Sequence, residues 1–209
     1  MYMNATCNPT RTPWNKGKLV GQKRPLRLQE IWQSRFMLDS QNRNRDLAMF
    51  NLAIDSKLRA CDLMRLRVAD ITQAGNVQSR ARVIQMKTGR PVQFEISEQT
   101  RRSVERWIDH KALVPRDYLF PSRILRSGHL SRRQHSRIAR RWMSEIGLDP
   151  ALYGTQSMRR SKASIIYSNT KNIRAAQLLP GHSSLESTVR YLGIDEDDAL
   201  TLRNRSRSE

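Results

Sequence analysis

Residues 80–96 read Arg80-Ala81-Arg82-Val83-Ile84-Gln85-Met86-Lys87-Thr88-Gly89-Arg90-Pro91-Val92-Gln93-Phe94-Glu95-Ile96. Arg80 to Met86 and Pro91 to Ile96 read as two strands, the second with Val92, Phe94 and Ile96 on one face. Lys87-Thr88-Gly89-Arg90 between them supplies the loop, so the stretch predicts a hairpin with a lysine at its tip. On both sides of it the period is helical. Order is expected from Leu26, with Leu28, Ile31, Trp32 and Phe36 forming the inward stripe of a first helix. Asp46 to Lys57 predicts a second, with Leu47, Phe50, Ala53 and Ile54 inward. A turn at Leu58-Arg59-Ala60 leads into a third segment, Cys61 to Leu66. Beyond the hairpin, Ser97 caps a helix carrying Val104, Trp107 and Ile108. Residues 115–130 read as loop. Ser131 and Gln134 form a capping box for a long helix that ends at Gly147, with Ile138, Trp142 and Ile146 on its apolar side. Helices at about 157–168, 171–179 and 184–192 follow, and Asp195-Glu196-Asp197-Asp198 opens a short last one. The fold class expected is mainly α with a small antiparallel β-sheet, α+β.

Charge narrows the function. The 209 residues carry 38 Lys and Arg against 19 Asp and Glu, a formal net charge of +19. Such a surplus repels itself in the compact state, so an anionic partner is implied: nucleic acid first, an acidic membrane surface second. Arg outnumbers Lys, which suits bidentate contacts to phosphate. No run of 18 apolar residues is present and the N-terminus has no apolar stretch of signal-peptide length, so a cytoplasmic, DNA-associated protein without a membrane partner is expected. Cys7 and Cys61 make neither a disulfide framework nor a zinc site, and both read as reduced thiols, Cys61 in the core. Three regions are expected: a flexible basic arm over 1–25, one domain over 26–194, and a C-terminal helix or tail over 195–209.

Several polar residues beside apolar runs could carry chemistry. Arg59 sits in Leu58-Arg59-Ala60-Cys61-Asp62-Leu63, where Asp62 can reach back to it or cap the next helix. Lys87 can reach outward from its hairpin, although hairpin tips often carry Lys for solubility alone. Gln156-Ser157-Met158-Arg159-Arg160-Ser161 opens a helix, and two arginines there oppose the helix dipole, which suggests a held anion. In Leu178-Leu179-Pro180-Gly181-His182-Ser183-Ser184 a helix ends at a Pro-Gly turn that holds His182, and Tyr191 follows nine residues later. Each is weak alone. In this order and spacing, Arg59, Lys87, Arg159, Leu-Leu-Pro-Gly-His182 and Tyr191 resemble the tyrosine recombinase (phage integrase) family over roughly residues 26–194.

That resemblance implies a site-specific recombinase that breaks and rejoins DNA without metal, nucleotide or other cofactor. Tyr191 would attack a phosphodiester, giving a 3′-phosphotyrosyl link and a free 5′-hydroxyl. Arg59 and Arg159 would clamp the non-bridging oxygens, Lys87 would protonate the leaving oxygen, and His182 would hydrogen-bond the phosphate or the phenol. Asp62 stands where an acidic residue usually steadies the first arginine. Gln156 stands where the family usually has His; it can donate to phosphate but cannot move a proton at neutral pH. Lys57 replaces a frequent glycine. Family members commonly carry a separate N-terminal clamping domain where this sequence has a basic arm of about 25 residues, so the chain is expected to resemble the short, catalytic-domain-only members. DNA contacts are expected from Arg90, Arg132, Arg133, Arg137, Arg140, Arg160 and Lys162, with His110, His129 and His135 at the surface or on phosphate. The partner implied is duplex DNA with inverted repeats, bound by a homo-oligomer, a dimer or tetramer. Two other readings fit the charge: a DNA-binding regulator on the same fold with weak or no cleavage, and a basic RNA-binding protein.

Overall fold

The computed structural model describes residues 22–122 and 128–170. In chain order they form α1 (Leu28–Ser40), α2 (Asn44–Ser56), α3 (Ala60–Met64), a 3₁₀ turn (Val68–Asp70), β1 (Thr72–Gln73), β2 (Asn76–Val77), β3 (Arg80–Ile84), β4 (Pro91–Glu95), α4 (Glu98–Lys111), α5 (Arg132–Glu145) and α6 (Thr155–Thr170). The architecture is mainly helical with two small antiparallel hairpins, β1–β2 and β3–β4. The second runs in the register Arg80↔Glu95 to Ile84↔Pro91, so Lys87 lies in its connecting loop. The first hairpin turns through Ala74 and Gly75, both at positive φ, and its two-residue strands are too short to show a period in the sequence.

α2 is the axis of the fold. Every residue from Asp46 to Ser56 is buried, and α1, α4 and α6 pack around it. Burying its polar side chains would cost several kcal/mol each if they were unpaired, and Asp46, Asn51 and Asp55 instead tie α2 to its neighbours. Asp46 accepts from the Trp142 indole of α5 at 3.1 Å and from Arg43 and Arg45. Burial pushes its carboxyl up, but the two arginines outweigh that and hold it below the usual carboxylate range. Asn51 accepts from Arg35 of α1 at 2.8 Å and donates to Ser103 of α4 at 3.1 Å. Asp55 accepts from the Ser97 amide, the Ser97 and Thr100 hydroxyls, and Lys162 of α6 at 3.5 Å. Ser97 therefore stands at the N-cap of α4 with its hydroxyl committed to Asp55 and not to the helix.

The structure corrects four expectations. On α1 only Ile31 of the expected stripe is buried, beside Ser34 and Leu38, whereas Leu28, Trp32 and Phe36 are 54%, 53% and 77% exposed. Both sets recur at intervals of three or four residues, and Ser34 gives the buried face no apolar signal, so periodicity could not choose the face. His135 is 1% exposed, because positions 135, 139, 142 and 143 form the buried stripe of α5. Cys61 is half-buried and lines a cleft, so it is not a core residue. Asp62 neither caps α3 nor pairs with Arg59: its Oδ1 accepts the Met86 amide at 3.0 Å, and no ion pair within 4 Å joins it to Arg59. The capping box at Ser131 is present, with Gln134 N–H donating to Ser131 Oγ at 3.2 Å and Gln134 Oε1 accepting the Ser131 N–H at 2.9 Å. Cys7, the arm up to residue 21, the helices expected over 171–179 and 184–192, the acidic patch, His182 and Tyr191 lie outside the described residues.

Candidate active site

Arg59, Lys87, Gln156 and Arg159, separated by up to a hundred residues in sequence, line one cleft of about 820 Å³. Four elements contribute. The N-cap and first turn of α3 bring Arg59, Ala60 and Cys61; the β3–β4 loop brings Met86 and Lys87; the start of α5 brings Arg132, Arg133 and Ser136; the first turns of α6 bring Thr155, Gln156 and Arg159. Among the described residues the lining has five cations and no carboxylate. That is the electrostatics of a phosphate-binding site, in which guanidinium forks match phosphate oxygens.

Both arginines are held from behind. Arg159 donates through Nε to the Lys57 carbonyl at 2.8 Å. Lys57 is the C-cap of α2 and takes the left-handed conformation, φ 53°, which ends the helix before the chain enters α3. Burial and the nearby Lys162 push the Lys57 amine down to about 8. Arg59 donates from Nη1 to the Gln85 side-chain oxygen at 2.7 Å, and that oxygen also accepts from Thr88 of the hairpin loop at 3.0 Å. Lys87 is exposed and has neither hydrogen bond nor ion pair among the described residues. Gln156 is exposed on the cleft wall. Sequence reading did not single out Gln85 or the Lys57 carbonyl. Inward alternation of Ala81, Val83 and Gln85 is the signal that could have marked the former.

A family model described as the phage integrase family matches residues 27–197. The chain belongs to the phage integrase family. A probable integrase/recombinase, YoeC of Bacillus subtilis (strain 168), is 31% identical over 174 residues, 83% of this chain and 91% of that protein. Tyrosine recombinase XerC of Actinobacillus pleuropneumoniae serotype 7 is 29% identical over 72% of this chain and 48% of its own length. The chain thus spans about half the length of the Xer relatives it matches. Among solved structures, XerA recombinase matches with TM-score 0.67 at 18% identity, over 96% of this chain and 67% of that one. A lambda integrase dimer bound to a core site matches with TM-score 0.60 at 20% identity, over 82% and 48%. These likenesses fix the fold as that of a tyrosine recombinase catalytic domain.

The other expected DNA contacts divide. Arg132 and Arg133 face the cleft of this phage integrase, and Arg90 is exposed in the hairpin loop. Arg140 is exposed on α5. Arg137 lies on the other flank of α5, in a shallow depression of about 390 Å³ with Arg45 and Arg141. Arg160 donates to the Lys23 carbonyl at 2.8 Å and Lys162 pairs with Asp55, contacts that serve the fold. His110 is exposed, and the His129 ring packs edge-on against Tyr118 at 4.9 Å. Among the described residues no three His, Cys, Asp or Glu side chains gather into a group that could hold a metal ion, and no helix is long and apolar enough to cross a membrane.

Proposed function

We propose that this tyrosine recombinase cuts and rejoins duplex DNA at a specific site with Tyr191 as nucleophile, passing through a 3′-phosphotyrosyl link and using no metal or ATP. One observation carries the reading: Arg59, Lys87 and Arg159 converge on a cleft with no carboxylate among its described lining residues. Two guanidinium groups can offset the charge that grows on the non-bridging oxygens, the task metal ions perform in other phosphoryl-transfer sites. Lys87 can give a proton to the departing 5′-oxygen. Tyr191, with an ordinary pKa of about 10, needs help to lose its own proton, and His182 supplies the hydrogen bond in this reading. The 5′-hydroxyl of a second strand reverses the chemistry, so the energy of the broken bond is kept. Arg132 and Arg133 extend the cationic surface along the duplex, and an inverted-repeat target bound by a dimer or tetramer follows from the family. Action on DNA fits the net charge of +19.

A duplex nicked beside the cleavage site tests this directly. The chain should become covalently linked to it at equal rates in magnesium and in EDTA, and Tyr191→Phe should not become linked at all. Equal binding by both proteins with neither linked would instead support a DNA-binding regulator, a reading that the glutamine at position 156 favours, since Gln156 cannot move a proton from the cleft wall.

A further inference from the structure

We propose that Gln85 is a positioning residue for strand cleavage: its neutral amide oxygen holds the Arg59 guanidinium at the cleft and locks it to the loop that carries Lys87. The inference rests on the cleavage reading above. Gln85 is 8% exposed, and its side-chain oxygen accepts from Arg59 Nη1 at 2.7 Å and from Thr88 Oγ1 at 3.0 Å. Its main chain closes the same loop, donating to the Arg90 carbonyl at 3.0 Å and accepting from the Gly89 N–H at 2.9 Å. One buried residue therefore joins the first arginine to the turn on which the lysine stands. The acid that sequence would assign to this role does not fill it: Asp62 Oδ1 takes the Met86 amide of that loop, and its buried Oδ2 has no hydrogen-bond partner among the described residues.

The neutrality matters. A carboxylate against Arg59 would compete with phosphate for the guanidinium and discharge part of it, whereas an amide oxygen orients it and leaves its full charge for the transition state. Gln85 and Asp62 divide two jobs: the amide aims the cation and the carboxylate seats the hairpin. Arg59 and Lys87 then move as one unit when the loop meets DNA.

Two variants test this. Gln85→Met keeps volume and removes the acceptor; Gln85→Glu keeps an acceptor and adds charge. Single-turnover linkage to a nicked duplex should slow by about 10- to 100-fold in both, the scale of a small misplacement of a clamping group, while duplex affinity stays within about threefold. A scissile linkage with one non-bridging oxygen replaced by methyl needs less cationic compensation, so on it the deficit of both variants should shrink to about threefold or less. Slowing that is equal on both linkages, or affinity and thermal stability lost together with rate, would mark Gln85 as structural only and overturn the proposal. ¹⁵N spectra of the arginine side chains, with Arg59 assigned from Arg59→Lys, supply a readout that needs no cleavage. Slow Nη rotation in the parent and fast rotation in Gln85→Met supports the hold; no difference overturns it. A parent chain that never becomes linked to DNA would strike the cleavage reading, while the spectra still decide whether Gln85 holds Arg59.

Discussion

Arg159 shows how little freedom an arginine of this cleft is given. Its Nε is spent on the Lys57 carbonyl, which fixes the plane of the guanidinium beside the cleft. Lysine at this position keeps the charge but has no Nε donor and no fork. Arg159→Lys should therefore slow covalent linkage by about 10²–10³, the usual cost of one preorganised donor, with duplex affinity within about threefold; equal losses in both would show that Arg159 binds DNA without aiding cleavage. His135 teaches a different lesson. Neither ring nitrogen has a hydrogen-bond partner among the described residues, the ring is buried on α5, and burial pushes its pKa from 6.5 down to about 4 against the pull of Asp46. The fold thus prefers the neutral ring. Its contribution is intact above pH 6.5 and is lost as pH falls from 6.5 toward 4, by about 3 kcal/mol over that window at roughly 1.4 kcal/mol per unit. His135→Leu removes two unsatisfied polar atoms and should stabilise the chain by about 1–2 kcal/mol at pH 7. Denaturant titrations should also show a flatter profile between pH 6.5 and 4 for the variant, and an unchanged slope would refute the assignment.

Elements were legible where punctuation and period agreed. Gly89 at positive φ and the alternation around it marked the β3–β4 hairpin, and Ser131 with Gln134 marked the start of α5. The faces were harder. On α1 a polar serine and an apolar tryptophan exchange the places their types suggest, because α1 packs on α2 through a narrow strip. On α5 the arginines around His135 made it look exposed, although its spacing to Ala139 and Trp142 was that of the core. Arg59, Lys87 and Arg159 were legible by order and spacing, but what holds them was not, since Lys57 acts through its carbonyl and Gln85 across a hairpin. The Lys57 turn allows a test at this scale. A lysine in the left-handed region costs on the order of 1 kcal/mol relative to glycine there, and this one is half-buried as well. Lys57→Gly should raise the melting temperature by about 2–4 °C and keep the carbonyl that Arg159 uses, leaving cleavage unchanged. Lys57→Val, branched at Cβ, should lower both. Higher stability in the valine variant would mean that the turn had changed conformation.

At the scale of the whole molecule, the charge of +19 acts on folding and on binding with opposite signs. In the free protein the surplus cations repel one another, and five of them crowd the lining of a single cleft. Added salt shortens the Debye length from about 30 Å at 0.01 M to about 10 Å at 0.1 M, so it relieves this repulsion. On DNA the same cations displace counterions, and added salt opposes that exchange. With 6–10 phosphate contacts, duplex affinity should fall by about 10³–10⁵ between 50 and 200 mM salt. The melting temperature of the free chain should rise by a few degrees over the same range, and that of the DNA complex should fall. Surface ion pairs such as Arg80–Glu95 and Arg106–Asp39 work against the first trend, since salt screens them too, but pairs this exposed contribute less than about 1 kcal/mol each. The excess cations therefore decide the sign. A free protein whose stability drops as salt rises would show that attraction within the fold outweighs its repulsion, and relief of crowding in the basic cleft could then not contribute to DNA affinity.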